Sequence, residues 1–386
     1  MKKVLLSTLL LAFAAMGIMS CSKKENEKGA ASSSAAADMR VAMITDYGDI
    51  TDQSFNQTTY AACKEFSESK GIDFKYYKPS GDSTEARVSS INAAVQDGYT
   101  VLVCPGFAFA EALVKTVDDN SDVYFVGLDI SEYDLITSAE ALGKAGWKVP
   151  ANTFCAVYDE EIPGFFAGYA AVKEGFKHLG FLGGMAVPAV IRYGYGFVQG
   201  CNAAAEELGI ADQVTVEYVY GGQFYGDQTI TASMDTWYQQ RAVEVVFACG
   251  GGIWTSACEA AAKTGGKVIG VDVDQTALIN KYGDGMCVTS AMKGLGATVK
   301  AVLASIQDGS WATYSGKVSA LGLVSDTDMD ANFVQLPTDT WTMKNFTVED
   351  YKNLVKQIFD KEVNISNGTE ELPAHSITVN QYANLK

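Results

Sequence analysis

An α/β body of two doubly wound parallel-sheet lobes is predicted by three observations. From residue 40 onward, short and almost wholly apolar runs alternate with segments of helical periodicity. Asp or Gly recurs just past the ends of those runs. The order then repeats: VLVCPGFAFAEAL resembles VVFACGGGIWTSACEAA, and YFVGLDIS resembles VIGVDVDQ, with 144 residues from Gly106 to Gly250 and 143 from Asp129 to Asp272.

In the first half, residues 41–44 read as a strand ending at Asp46. Helix 54–70 sets Phe55, Ala62 and Phe66 on one face. Strand 74–77 is followed by helix 84–97, with Val88, Ile91 and Val95 in phase. Strand 100–104 runs into Pro105-Gly106, helix 109–117 aligns Ala110, Leu113, Val114 and Val117, and strand 123–127 ends at Asp129. The second half gives strand 179–182, helix 196–208 and strand 214–219. Helix 229–241 follows, with Ile230, Met234 and Trp237 aligned. Strand 245–248 leads into Gly250-Gly251-Gly252, then helix 254–263 and strand 268–271 ending at Asp272. Ligands of open parallel sheets bind at the carboxyl ends of the strands. If the two lobes face each other there, Asp46, Asp129 and Asp272 line one cleft. The competing role for an Asp at such a place is to cap the next helix.

The composition narrows the function classes. The 386 residues carry 29 basic against 46 acidic side chains, a formal −17. Only Arg40, Arg87, Arg192 and Arg241 are arginines, which argues against a nucleic-acid surface or an arginine clamp on phosphates. Two histidines, His178 and His375, leave little for an imidazole metal site or triad. No phosphate-binding glycine loop, nucleophile elbow or HExxH run is present. Met1-Lys2-Lys3, an apolar stretch over 4–18 and Ile18-Met19-Ser20-Cys21 read as a secretory leader ending in a lipobox, with Cys21 lipidated after cleavage. The alternative is an ordinary leader with a coincidental Cys. The polar stretch 22–38 reads as a flexible tether, so residues 1–20 are leader and 21–39 a leash. Loss of Lys2 and Lys3 leaves 27 basic against 46 acidic residues, −19. The other seven cysteines are widely spaced in mostly apolar runs and are expected to be buried small hydrophobes.

Several runs together resemble a known family. They are Thr45-Asp46-Tyr47-Gly48-Asp49-Ile50-Thr51-Asp52-Gln53-Ser54-Phe55-Asn56-Gln57, Gly106-Phe107-Ala108-Phe109-Ala110, Tyr158-Asp159-Glu160-Glu161, Gly180-Phe181-Leu182-Gly183-Gly184-Met185, Gly270-Val271-Asp272 and Thr289-Ser290-Ala291-Met292-Lys293. With the lipobox and the two echoing lobes, they resemble the basic membrane protein family of ABC-transporter substrate-binding lipoproteins, in particular its purine nucleoside receptors. The resemblance departs at Ile253 and Trp254, which stand where the family has small residues. It departs also at an aromatic loop over 193–196 and at an apparent insertion over 135–150.

The resemblance implies a bilobed type I periplasmic-binding-protein fold with crossovers near 158–164, 286–290 and 320–324. One lobe would comprise 40–157 plus 288–320 and the other 158–287 plus 321–386, with helix 349–359 completing the second. It implies capture of a purine nucleoside (adenosine, guanosine or inosine), delivery to ABC permease and ATPase subunits, and extracytoplasmic anchoring at the cell membrane through lipid. It implies no catalysis, cofactor or metal. Phe55 would stack on the base from one lobe, with Phe224 or Tyr225 opposing it. Asp46, Asn56 and Asp129 would read the base edge, Asp272 and Lys293 would hold the ribose, and Gly250 would let backbone N–H groups approach the sugar. A surface interaction lipoprotein of the adhesin or immunogen class, or a binder of another small polar ligand such as a sugar, is the alternative. An enzyme is a third reading.

Overall fold

The first sheet and its helices come from β1 (Arg40–Ile44), α1 (Phe55–Lys70), β2 (Asp73–Tyr77), α2 (Thr84–Gln96), β3 (Val101–Pro105), α3 (Ala110–Thr116), β4 (Tyr124–Leu128), α4 (Glu132–Ala141) and β5 (Thr153–Tyr158). The chain then passes into α5 (Glu161–Glu174), β6 (His178–Gly183), α6 (Pro188–Glu207), β7 (Thr215–Tyr220), α7 (Gln228–Gln240), β8 (Val245–Cys249), α8 (Trp254–Ala261), β9 (Lys267–Asp272), α9 (Thr276–Ile279) and β10 (Cys287–Lys293). It returns through α10 (Leu295–Asp308) and β11 (Lys317–Leu321), and ends with β12 (Val334–Gln335), α11 (Val348–Phe359) and β13 (Thr378–Gln381). This computed structural model describes residues 39–46 and 48–386, so the expected leader, Cys21 and the tether over 22–38 lie outside the described residues.

The six strands of the first sheet run β11-β5-β4-β3-β1-β2, all parallel. The seven of the second run β12-β10-β9-β8-β6-β7-β13, parallel except for the two-residue β12. Each sheet is covered on both faces, which is why its strands are continuous apolar runs. In β1, Val41 and Met43 enter one core while Ala42 and Ile44 enter the other. The seven cysteines of the body are all buried and unpaired.

Three features add to or correct the sequence reading. The stretch expected as an insertion over 135–150 contains most of α4, which starts on a capping box between Ser131 and Asp134 and buries Leu135 and Ala139 in the first lobe. The residues 193–196, expected as a loop, lie inside α6, which begins two turns earlier than expected, at Pro188. Glycines interrupt the apolar periodicity there because they serve helix contact. A Cβ at Gly164 or Gly168 of α5 would collide with the backbone carbonyls of Tyr193 or Phe197, and one at Gly196 or Gly200 of α6 with those of Glu161 or Phe165. The two helices therefore pack backbone to backbone, each through a pair of glycines one turn apart.

The third difference is a boundary. Residues 288–320 were expected in the first lobe, but β10 pairs with β9 in the second sheet. The second crossing therefore falls at Gly294, between β10 and α10, not over 286–290. Only from α10 onward does this stretch join the first lobe, where Leu295, Val299 and Leu303 share a core with Ala62 and Phe66 of α1. The first crossing is the turn from β5 to α5, and the third lies between β11 and β12.

Candidate functional site

Strand ends build the cleft. Asp46 follows β1, Gly106 follows β3 and Asp129 follows β4. Facing them, Gly250 follows β8, Asp272 ends β9 and Lys293 ends β10. The backbone at these turns is unusual. Gly106 and Gly250 have φ of 118° and 131°, where a side chain would be strained, and a Cβ at Gly106 would collide with the Asp46 carboxylate. Asp129 and Asp272 have φ of 57° and 65°, the left-handed region that Asp enters more readily than most residues. Strain held at matched positions of both lobes is typical of a functional site.

All eight residues expected at the site, Asp46, Phe55, Asn56, Asp129, Phe224, Gly250, Asp272 and Lys293, line one cavity between the lobes. One phenyl ring comes from each lobe. Of the two candidates for the second ring, Phe224 lines the cavity, whereas Tyr225 is 62% exposed and lines a separate groove on the cleft's outer lip. Trp254 belongs to that outer groove as well.

Lys293 sits at the centre of the charges. It is the last residue of β10, so its side chain rises from a strand end like those of the aspartates. Its ammonium hydrogen-bonds Asp129 Oδ2 at 2.6 Å and lies 3.5 Å from Glu160 Oε1 and 3.8 Å from Asp272 Oδ1. The expected Asp272–Lys293 pair is therefore the looser contact, and Asp129 is the nearer carboxylate. The rings of Phe55, Tyr158 and Tyr193 surround the ammonium at 4.8, 5.5 and 5.8 Å. Asp272 instead accepts a 2.5 Å hydrogen bond from the Ser54 hydroxyl of the opposite lobe.

Burial and mutual charge set the protonation of this cluster. Burial pushes the Asp129 carboxyl up, Lys293 opposes this, and Glu160 adds to it, leaving it at about 6. Burial likewise raises Asp272, against the pull of Lys293 and the Ser54 hydroxyl. Burial alone would lower the Lys293 ammonium. Asp129, Glu160 and Asp272 outweigh it and hold Lys293 charged above its ordinary range. Three buried polar atoms of the lining have no hydrogen-bond partner among the described residues: Asp129 Oδ1, Asn56 Oδ1 and the Tyr193 hydroxyl. Such atoms are costly unless a ligand or water meets them. They offer two acceptors and a hydroxyl to a polar guest.

The lobes also touch directly around this cavity. Besides Ser54 to Asp272, Gln275 Nε2 donates to the Gln53 carbonyl at 3.0 Å and Trp254 Nε1 to the Asp52 carbonyl at 3.4 Å.

Sequence reasoning missed Glu160, Arg192 and Tyr193. Glu160 is fully buried, and Arg192 Nε donates to its Oε2 at 2.6 Å. A signal was present. Glu160-Glu161 precedes a helix rich in small and aromatic residues, and carboxylates leading into a buried helix need a partner. The partner, 32 residues away, was not readable from spacing.

The profile of the family described as ABC transporter substrate-binding protein PnrA-like matches residues 39–367. The chain is similar to the ABC transporter nucleoside-binding protein BmpA of Lactococcus lactis subsp. cremoris, 28% identical with 84% of this chain and 92% of that protein covered. It is similar also to Basic membrane protein D of Borreliella burgdorferi, 24% identical with 83% and 86% covered. Among solved structures, an ABC transporter solute-binding protein from Aeropyrum pernix superposes with a TM-score of 0.63 at 19% identity, over 84% of this chain and 87% of that one. The two-lobed fold, the cavity at facing strand ends and this match over most of the chain lead to one assignment: the protein belongs to the PnrA-like family of ABC transporter substrate-binding proteins.

Proposed function

We propose that the protein captures a purine nucleoside in the inter-lobe cavity and delivers it to an ABC permease and its ATPase, held at the extracytoplasmic face of the membrane by lipid on Cys21. The observation that carries this reading is the make-up of the cavity. It has a phenyl ring from each lobe, Phe55 and Phe224, and a carboxylate–ammonium cluster of Asp129, Asp272 and Lys293. A nucleoside has a flat, weakly hydrated base suited to the rings. Its vicinal hydroxyls suit carboxylate acceptors beside a cationic donor. In this reading Asp46 and Asn56 contact the base edge. Gly250 lets the backbone come close to the sugar. The nucleoside-binding relative BmpA supports the ligand class.

The test is calorimetric titration with a purine nucleoside, its 5′-monophosphate, the free base and ribose. A phosphate would bring about two negative charges to a cavity lined by Asp46, Asp129 and Asp272 with Lys293 alone among its lining cations. Burying unmatched like charge costs several kcal/mol. The nucleoside is expected to bind at least about a hundredfold more tightly than the monophosphate. Ribose should bind poorly for want of the rings. Tight monophosphate binding, or ribose as good as nucleoside, would overturn the reading. For the anchor, Cys21→Ala should abolish lipidation, and unchanged detergent partitioning would refute it.

A further inference from the structure

Next to the cavity lies a charge that the proposed function does not use. Glu160 stands in the first crossing, between β5 and α5, with a fully buried side chain. It is not among the residues that line the cavity. One of its oxygens takes the Arg192 guanidinium at 2.6 Å; the other, Oε1, has no hydrogen-bond partner among the described residues and lies 3.5 Å from Lys293 Nζ. Lys293 itself ends at the second crossing. One ammonium is thus faced by three carboxylates from three places: Asp129 of the first lobe, Asp272 of the second and Glu160 of the crossing.

We infer that Glu160 is a positioning residue for Lys293 and, through its charge, fixes the preference of the cavity for uncharged over anionic ligands. Two facts support each half. For position, Glu160 is held rigidly. Its backbone leads into α5, which is locked on α6 by the glycine contacts, and its carboxylate is pinned by Arg192 from α6. It therefore offers Lys293 a fixed counter-charge from outside the cavity lining. For charge, the five groups joined by ion pairs are Lys293 and Arg192 against Asp129, Glu160 and Asp272, a formal −1, with the carboxyls of Asp46, Asp159 and Glu161 around them. Without Glu160 the sum is zero, and Arg192 and Lys293 lose the carboxylate between them. Buried groups at such distances are little screened by salt, so one unit of charge matters there.

The ligand arm of this inference rests on the nucleoside reading, so the experiment has a second arm that needs no ligand. In ligand-free protein, the rate at which a small amine-reactive reagent modifies Lys293 is followed by peptide mass spectrometry. Glu160→Gln keeps the shape and should raise that rate about fivefold or more, because loss of a neighbouring carboxylate favours the free amine. Glu160→Asp should restore part of the protection. An unchanged rate in Glu160→Gln overturns the inference whatever the protein binds. In the ligand arm, the nucleoside-to-monophosphate affinity ratio should narrow about tenfold in Glu160→Gln. The double variant Glu160→Gln with Arg192→Gln returns the formal sum to −1. It should recover the ratio while Lys293 stays over-reactive, and it serves if the single variant, with an unmatched Arg192, folds poorly. A wild-type protein that binds no nucleoside refutes the proposed function and leaves the labelling result to decide on Glu160. Nucleoside binding with an unchanged ratio in Glu160→Gln refutes the charge role alone.

Discussion

Gly106 and Asp129 of the first lobe have nearly the same backbone as Gly250 and Asp272 of the second, with φ of 118° against 131° and 57° against 65°. Their surroundings diverge. The space a Cβ would take at Gly106 belongs to the Asp46 carboxylate; at Gly250 it belongs to the Phe224 ring. Each aspartate is bonded across the cleft, but by different donors. Asp129 takes the Lys293 ammonium from the second sheet, and Asp272 takes the Ser54 hydroxyl from the start of α1. The repeat therefore supplies a common backbone frame, and the partner from the opposite lobe decides the chemistry. It follows that the first lobe's aspartate should respond to charge and pH, and the second's to ligand hydroxyls and closure.

The largest effect should come from Lys293→Met. It removes the cation that Asp129, Glu160 and Asp272 share and leaves Arg192 to meet three buried carboxylates. Stripping one partner from a buried ion cluster typically costs about 3–5 kcal/mol. Urea denaturation at pH 7 should show a loss of that size. A loss under about 1 kcal/mol, the scale of an exposed pair, would mean that Lys293 does not hold the cluster together. Next comes Asp272→Ala, expected to weaken nucleoside binding by about 2–4 kcal/mol and free-base binding much less. Equal losses for base and nucleoside would remove Asp272 from the sugar end.

How much of this was visible beforehand follows from what a local pattern can carry. Asp46, Asp129, Gly250 and Asp272 were legible because they follow apolar runs closed by Asp or Gly, whereas Phe55 and Asn56 at the start of α1, Phe224 beyond β7 and Lys293 came from the family resemblance. The cross-lobe partners were not legible. Whether Lys293 meets Asp129 or Asp272 depends on how the two sheets face each other, and the sequence spacing of 164 residues carries no such information. The extent of α6 was hidden for a different reason. Its glycines lower helix propensity, yet they are present because α5 must approach within backbone contact. The lobe boundary at β10 failed because an apolar strand pairs equally well, on pattern alone, with either sheet.

The pH response should separate the two aspartates at smaller cost. Asp129 is pushed up to about 6, mainly by burial. If the ligand uses its ionised form, affinity at pH 5 should be about tenfold below that at pH 7. Asp129→Asn should flatten this slope, and Asp272→Asn should leave it in place. For the fold alone the sign is opposite. A carboxyl whose folded value is raised penalises stability above about pH 6, and the penalty lifts as pH falls toward the ordinary carboxylate range. Affinity and stability should thus move in opposite directions between pH 7 and 5. Parallel movement would show that acid acts through general unfolding and not through Asp129.

The smallest change tests the second lobe's side of the comparison. Ser54 occupies the N-cap position of α1, yet its hydroxyl makes no capping bond. Asp52 does that work, accepting from the backbone N–H groups of Ser54, Asn56 and Gln57 at 2.9, 3.0 and 3.0 Å. The Ser54 hydroxyl is therefore released to cross the cleft to Asp272. Ser54→Ala should spare the helix and remove only that bond, at a net cost of about 0.5–1.5 kcal/mol. The cost should fall on the closed, ligand-bound form: melting of the ligand-free protein should barely move, while nucleoside affinity drops about three- to tenfold, mostly through faster release. A melting temperature lowered as much without ligand as with it would mean that Ser54 stabilises its own lobe and that Asp272 owes nothing to closure.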